Sequence, residues 1–305
     1  MSAFPSLCSE SVIVRKLRAA GCVFAEDEAR LLISAAPTLA DLTAMVDRRV
    51  AGLPLEHVLG WAEFCDLRVA VDPGVFVPRR RTEFLVRQAA ALIDRAAPPA
   101  DQSATQPAGK GSASVRLATN PTWADPVGPR NVVVDLCCGS GAVGLALVAA
   151  LHPVELHAVD IEPAAVRCAR RNVAAAGGRV YEGDLYDPLP TTLRGRVDVL
   201  VANAPYVPTG AIALMPPEAR LHEPRVALDG GADGLDVLRR VTAAAPLWLA
   251  PGGHLLVETS ERQAARTVET FASSGLIPRV ASCAELNATV VIGTRPAIQS
   301  RQNSG

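Results

Sequence analysis

The stretch from Val132 to Gly144 narrows most sharply what this chain can become. Val132-Val133-Val134 is a β-branched run of the kind buried inside a sheet, and it passes straight into Asp135-Leu136-Cys137-Cys138-Gly139-Ser140-Gly141. An Ala/Leu/Val-rich segment over 142–151 then reads as a helix. Glycines at such a junction let the backbone turn sharply and let a ligand approach without meeting a Cβ. The same alternation continues, with strands expected at 156–159, 180–181, 197–202, 254–258 and 289–292 and a helix over 163–176. That pattern predicts an α/β fold, a Rossmann-like, mostly parallel sheet covered by helices on both faces.

Ahead of this unit the spacing changes. In the first fifty residues Leu39, Leu42, Val46 and Val50 share a helix face behind Thr38 as N-cap, and Gly52 stops the helix. Glu26, Asp27 and Glu28 stand where a helix start favours acids. The expected organisation is a small all-helical domain over 1–52 and a hairpin-like extended connector over 53–83, broken at Gly60, Pro73-Gly74 and Pro78. A helix over 84–98 resumes near Thr82. A Pro/Ser/Ala/Gly-rich flexible linker or insertion covers 99–130, the sheet unit covers 131–296, and a tail covers 297–305.

Composition excludes several classes. Thirty Lys+Arg against 31 Asp+Glu give a net charge of −1, so no overall basic field draws the chain onto nucleic acid or anionic lipid. The seven cysteines are scattered without a CxxC pair, which argues against a disulfide framework and against a zinc site; no metal is expected. Neither a basic start with an apolar stretch nor an apolar run of roughly 18–20 residues is present. The expectation is a reduced, soluble, cytoplasmic monomer.

The glycine turn and Asp160 together describe a nucleoside site. Asp160 ends the second strand, where a carboxylate can accept hydrogen bonds from both hydroxyls of a ribose. Read literally, Gly139-Ser140-Gly141-Ala142-Val143-Gly144 matches GxGxxG, and Asp160 follows about 20 residues on, as in dinucleotide sites. Asp135 weighs against a dinucleotide. Its negative charge would face a pyrophosphate but suits a cationic ligand, and S-adenosyl-L-methionine, a sulfonium with an ammonium group, is such a ligand.

The fourth strand runs directly into Asn203-Ala204-Pro205-Tyr206. A planar amide or exocyclic amine is a poor nucleophile because its lone pair is delocalised. The Asn203 side-chain carbonyl and the Ala204 backbone carbonyl can accept its two N–H bonds and aim the nitrogen at a methyl donor. Tyr206 can stack on the flat group while Pro205 stiffens the turn. Catalysis then consists of positioning and electrostatic stabilisation, with the proton passing to solvent or a carbonyl.

With these residues the chain resembles the class I S-adenosylmethionine-dependent methyltransferases whose motif is NPPY. It is most similar to the release factor glutamine methyltransferases, which modify the glutamine of the Gly-Gly-Gln loop in peptide chain release factors. The resemblance extends through Gly52-Leu53-Pro54-Leu55-Glu56-His57-Val58-Leu59-Gly60, through Val71-Asp72-Pro73-Gly74-Val75-Phe76-Val77-Pro78-Arg79, and through Thr82-Glu83. Downstream it takes in Met215-Pro216-Pro217-Glu218, the run from His222 to Gly231, and Asp233-Gly234-Leu235-Asp236. It implies that Cys137, Cys138, Gly139, Ser140 and Gly141 line the methionine part of the cofactor, that Asp160 holds the ribose, and that Asp184-Leu185 flank adenine. Asn203 to Tyr206 would hold the substrate glutamine, the N-terminal helices would recognise the protein substrate, and Thr82 and Glu83 would lie near the cofactor's outer side.

Three departures stand out. Ala204 replaces the first proline of NPPY, loosening the turn while keeping the carbonyl. Cys137 replaces a glycine and fits there only with negative φ. Arg80-Arg81 replaces Pro-Glu, reversing charge beside the site. They mark a divergent paralogue. The alternatives are an adenine-N6 methyltransferase on RNA or DNA, which the balanced charge disfavours, and a cofactor-binding paralogue without catalysis.

Overall fold

The structure, a computed structural model, describes residues 9–96, 131–151 and 153–297. Cys8, the expected insertion over 99–130 and all but the first residue of the expected tail lie outside the described residues.

Three helices open the chain: α1 (Glu10–Ala19), α2 (Ala25–Ala35) and α3 (Leu39–Val50). Ile13 and Leu17, Ala29 and Leu32, and Leu42 and Val46 are fully buried pairs three or four residues apart, and each pair turns one face into a shared small core. Thr38 holds extended dihedrals and its Oγ1 accepts the Asp41 N–H at 3.1 Å, an N-cap as the sequence implies. The connector is less extended than expected. A five-residue helix, α4 (Leu55–Leu59), follows Pro54 and ends at Gly60, whose φ is 80°; it is too short to show a period in sequence. Strands β1 (Trp61–Phe64) and β2 (Leu67–Ala70) then pair antiparallel around Cys65-Asp66, both with positive φ, the backbone that a two-residue hairpin turn requires. A 3₁₀ turn over Arg80–Thr82 leads into α5 (Glu83–Ala96).

The remainder builds the sheet. In order come β3 (Asn131–Leu136), α6 (Ala142–Leu151), β4 (Val154–Asp160), α7 (Pro163–Val173), β5 (Arg179–Glu182), β6 (Val197–Ala202), α8 (Pro217–His222), α9 (Asp236–Trp248), β7 (Leu249–Thr259), α10 (Ala264–Ser273), β8 (Ile277–Cys283) and β9 (Ala288–Thr294). The seven strands lie in the order β5-β4-β3-β6-β7-β9-β8, with β9 antiparallel to both neighbours and the first five parallel. Six of these are expected from the sequence; the seventh, β8, is an edge strand whose Pro278, Arg279 and Ser282 break any apolar pattern because most of its residues face solvent.

Alternation along the strands fills both faces. Val133, Val199 and Val201 pack with Leu85 of α5 and Leu147 of α6, while Val132, Val134, Leu136 and Leu200 pack with Leu238 of α9 and Phe271 of α10. Register then aligns the strand ends. Leu136 sits opposite Val159 and Ala202, and Ala202 opposite Val257, so Cys137, Asp160, Asn203 and Glu258 all emerge on one rim. The strand order reverses between β3 and β6, which opens the crevice there. No described helix is long and apolar enough to cross a membrane.

Candidate active site

A cavity of about 530 Å³ opens at that reversal. Of the residues singled out from sequence, Thr82, Asp135, Cys137, Cys138, Gly139, Ser140, Asp160, Asp184, Leu185 and the whole of Asn203–Tyr206 line it. Gly141 stands behind the lining. A Cβ there would lie 3.1 Å from the Ala169 Cβ, so this glycine lets the loop pack closely on α7.

One half of the cavity is made of backbone turns. Cys138 donates its N–H to the Val159 carbonyl at 3.0 Å, and Gly141 donates to the Cys138 carbonyl at 2.7 Å, closing the loop between β3 and α6. Asp160 accepts the Gly139 N–H on Oδ2 at 2.8 Å and the Glu162 N–H on Oδ1 at 2.9 Å. A carboxylate has about four lone-pair positions, so each oxygen retains one for a further donor. Asp135 is buried and accepts the Gly144 N–H at 2.9 Å; desolvation pushes its carboxyl up to about 7. Burial likewise raises the Asp160 carboxyl and both the Cys137 and Cys138 thiols, which leaves the cysteines as neutral, apolar lining. Asp184 is held by Arg240 of α9 at 2.7 Å, and Leu185, with φ 49°, is buried beside it.

Cys137 corrects an expectation. Its φ is +55°, the left-handed region, not the negative value that a cysteine in place of glycine was expected to need. The neighbouring glycines Gly139 and Gly141 share that hand, and the loop imposes its geometry on Cys137 at about 1–2 kcal/mol of local strain. Glu83 also lies elsewhere: its Oε1 accepts the Cys65 N–H at 3.5 Å in the hairpin turn, outside the cavity lining.

The other half is made of side-chain charge pairs. Asn203 donates from Nδ2 to the Thr82 hydroxyl at 3.5 Å, which leaves Oδ1 as an acceptor. Tyr206 donates its phenol proton to Glu258 Oε1 at 3.2 Å, and Arg81 donates to the same Glu258 oxygen at 2.8 Å and to the Tyr206 oxygen at 2.5 Å. Arg79 forks onto both oxygens of buried Glu223 at 2.6 Å, and Val77 N–H joins Glu223 Oε1 at 3.2 Å. These bonds tie the segment 209–227 to the connector. Gln263 donates to the Tyr206 carbonyl at 3.0 Å and the Asp233 carbonyl at 3.2 Å, which fixes the turn from behind. Gly234 is required there, because a Cβ would lie 2.3 Å from the Tyr206 carbonyl oxygen.

Glu258, Glu223 and Gln263 are not among the site residues expected from the sequence. Two of them left a trace: Glu223 lies in the run from His222 to Gly231, and Glu258 is an acid near the carboxyl end of an apolar parallel strand.

Comparison with known proteins agrees with this architecture. The methyltransferase small domain family matches residues 122–279. The chain is 36% identical to a release factor glutamine methyltransferase of Geobacter sulfurreducens over 78% of this chain and 71% of that protein. It is also 36% identical to the one of Mycolicibacterium smegmatis, over 82% and 78%. A 4-amino-L-phenylalanine/4-methylamino-L-phenylalanine methyltransferase of Streptomyces pristinaespiralis is 34% identical over 75% and 69%. A seven-stranded sheet with one antiparallel strand, the Asn203–Tyr206 turn on its rim, and this likeness over most of both chains lead to one statement: the protein belongs to the release factor glutamine methyltransferase family.

Proposed function

We propose that the protein transfers a methyl group from S-adenosyl-L-methionine to the side-chain amide nitrogen of a protein glutamine, that of the Gly-Gly-Gln loop of a peptide chain release factor. The observation that carries this reading is the Asn203–Tyr206 turn, which lines the same cavity as Asp135 and Asp160.

The cavity residues fit the cofactor. Asp160 keeps a free lone pair on each oxygen for a ribose diol, and the buried Asp135 supplies negative charge near the glycine loop for the methionine ammonium and sulfonium. Leu185, in the lining, would offer an apolar face to adenine, and Asp184 an acceptor to its amine. Bound there, the cofactor supplies an electrophilic methyl group. Asn203 Oδ1 and the Ala204 carbonyl accept the two amide protons and hold the nitrogen in line; the ring of Tyr206 covers one face of the flat amide. As charge develops on nitrogen, the two carbonyl dipoles stabilise it and the proton leaves to solvent. The helices α1 to α3 and the connector would present the protein substrate.

Incubation of the purified protein with isotopically labelled cofactor and purified release factors, followed by peptide mass spectrometry, is expected to place one methyl on the loop glutamine. Methyl on RNA or DNA instead would overturn the protein-substrate reading. A second reading, methylation of an amine on an aromatic amino acid, is favoured by the Streptomyces pristinaespiralis relative and by the guanidinium that Arg81 places in the cavity wall. Turnover of 4-amino-L-phenylalanine without turnover of release factors would establish it.

A further inference from the structure

We propose that Arg81 and Glu258 form a clamp that sets the ring of Tyr206 over the acceptor nitrogen, making both positioning residues for methyl transfer. This inference rests on the Asn203–Tyr206 turn being the acceptor site.

The hydrogen bonding of Glu258 is unbalanced. Glu258 is buried at the end of β7, its Oε1 takes both the Arg81 and the Tyr206 bond, and its Oε2 has no hydrogen-bond partner among the described residues. A buried carboxylate with one oxygen unpaired depends on whatever counter-charge it has. Here that counter-charge is the Arg81 guanidinium, at 2.8 Å. The same guanidinium reaches the phenol oxygen at 2.5 Å and lies 5.9 Å from the Tyr206 ring centroid. Three groups therefore close a triangle around one phenol, which accepts from Arg81 and donates to Glu258. Two directed bonds on the hydroxyl and the Gln263 bond on the backbone carbonyl fix the far end and the near end of the same residue. A ring held at both ends keeps one orientation, and orientation is what separates a bound amide from a reactive one.

An acid at position 81 would set two carboxylates against each other beside Tyr206. The clamp therefore depends on the positive charge at position 81. Burial and the Glu258 charge push the phenol up to about 12, so Tyr206 stays protonated and can donate at neutral pH.

Two measurements test the clamp separately from the substrate. In protein carrying ¹³C-labelled tyrosine, Arg81→Met and Glu258→Gln are each expected to shift the Tyr206 ring signals and leave those of Tyr181 and Tyr186 in place; unmoved Tyr206 signals would overturn the proposal. In methyl-transfer assays each variant is expected to lower kcat about tenfold, with the cofactor Kd held within about twofold, and the double variant to be no worse than either single one. Arg81→Lys, which keeps the charge and loses the fork, is expected to recover part of the loss. Losses that multiply in the double variant, or full activity in Arg81→Met, would overturn the clamp. Absence of glutamine methylation by the unaltered protein would instead defeat the functional reading, and the ring signals would still decide the clamp.

Discussion

The two halves of the cavity are built in opposite ways. The half facing Asp135 and Asp160 is a contiguous loop between neighbouring strands, held by backbone N–H groups and left-handed turns. The half facing Asn203 and Tyr206 is assembled from side chains far apart in sequence: Arg79 meets Glu223 across 144 positions and Arg81 meets Glu258 across 177. A contiguous loop tolerates side-chain exchange as long as its dihedrals survive, and Cys137 in a glycine position illustrates that tolerance. An assembly of charge pairs changes its properties with a single residue, so divergence in substrate is expected to collect there.

If that contrast holds, alterations in the acceptor half should strike turnover and leave the cofactor in place. The largest effect is expected from Asn203→Ala, which removes the side-chain acceptor: kcat falls about 10²- to 10³-fold while cofactor affinity, measured by calorimetry, stays within about twofold. Equal losses in both would break the comparison. Next comes Arg79→Met, which leaves Glu223 buried without its ion pair although burial already raises that carboxyl. Because Arg79 is itself partly open to solvent, the expected loss is about 2–3 kcal/mol, read from the urea midpoint.

The cofactor half gives smaller and differently shaped responses. Asp135 has its folded value raised above the unfolded one, so its contribution to stability is present in full below about pH 4 and is lost as pH rises through about 7. A cationic ligand favours the ionised form, and cofactor affinity is expected to rise about tenfold between pH 6 and 8, with Asp135→Asn flattening both profiles in titration calorimetry. The smallest effect concerns Cys137. Cys137→Gly and Cys137→Ala both remove the sulfur, but only alanine keeps a Cβ at φ +55°, so the glycine variant is expected to be more stable by about 1 kcal/mol in thermal unfolding. Equal stability would show that the loop relaxes around the side chain.

The same contrast explains what the sequence could show. Val132–Val134 and 197–202 announce themselves as buried strands, and the glycine loop announces its turn, because each signal lies within a dozen neighbouring residues. Asp160 and Asn203 follow from their places at strand ends. The position of Glu258 at a strand end and of Glu223 in a recognised run is legible, but their pairing is not, since it depends on partners that only the folded sheet brings near. The helix α4 and the edge strand β8 were missed for a related reason: one is a single turn and a half, and the other has too little buried surface to impose alternation. The left-handed φ of Cys137 was misjudged because the loop's hydrogen bonds outweigh the preference of one side chain.

The long separations within the acceptor half also set a timetable for the chain as it is made. Arg79 and Arg81 emerge early and wait for Glu223 and Glu258, an interval of roughly 10 to 35 s for the later pair at typical rates of translation. Strands β3, β4 and β6 with their glycine loop can already have met by then. The glycine loop at the methyl-donor end can therefore close before Glu258, the last partner of the recipient end, has been made, and Arg240, which holds Asp184, arrives only shortly ahead of it.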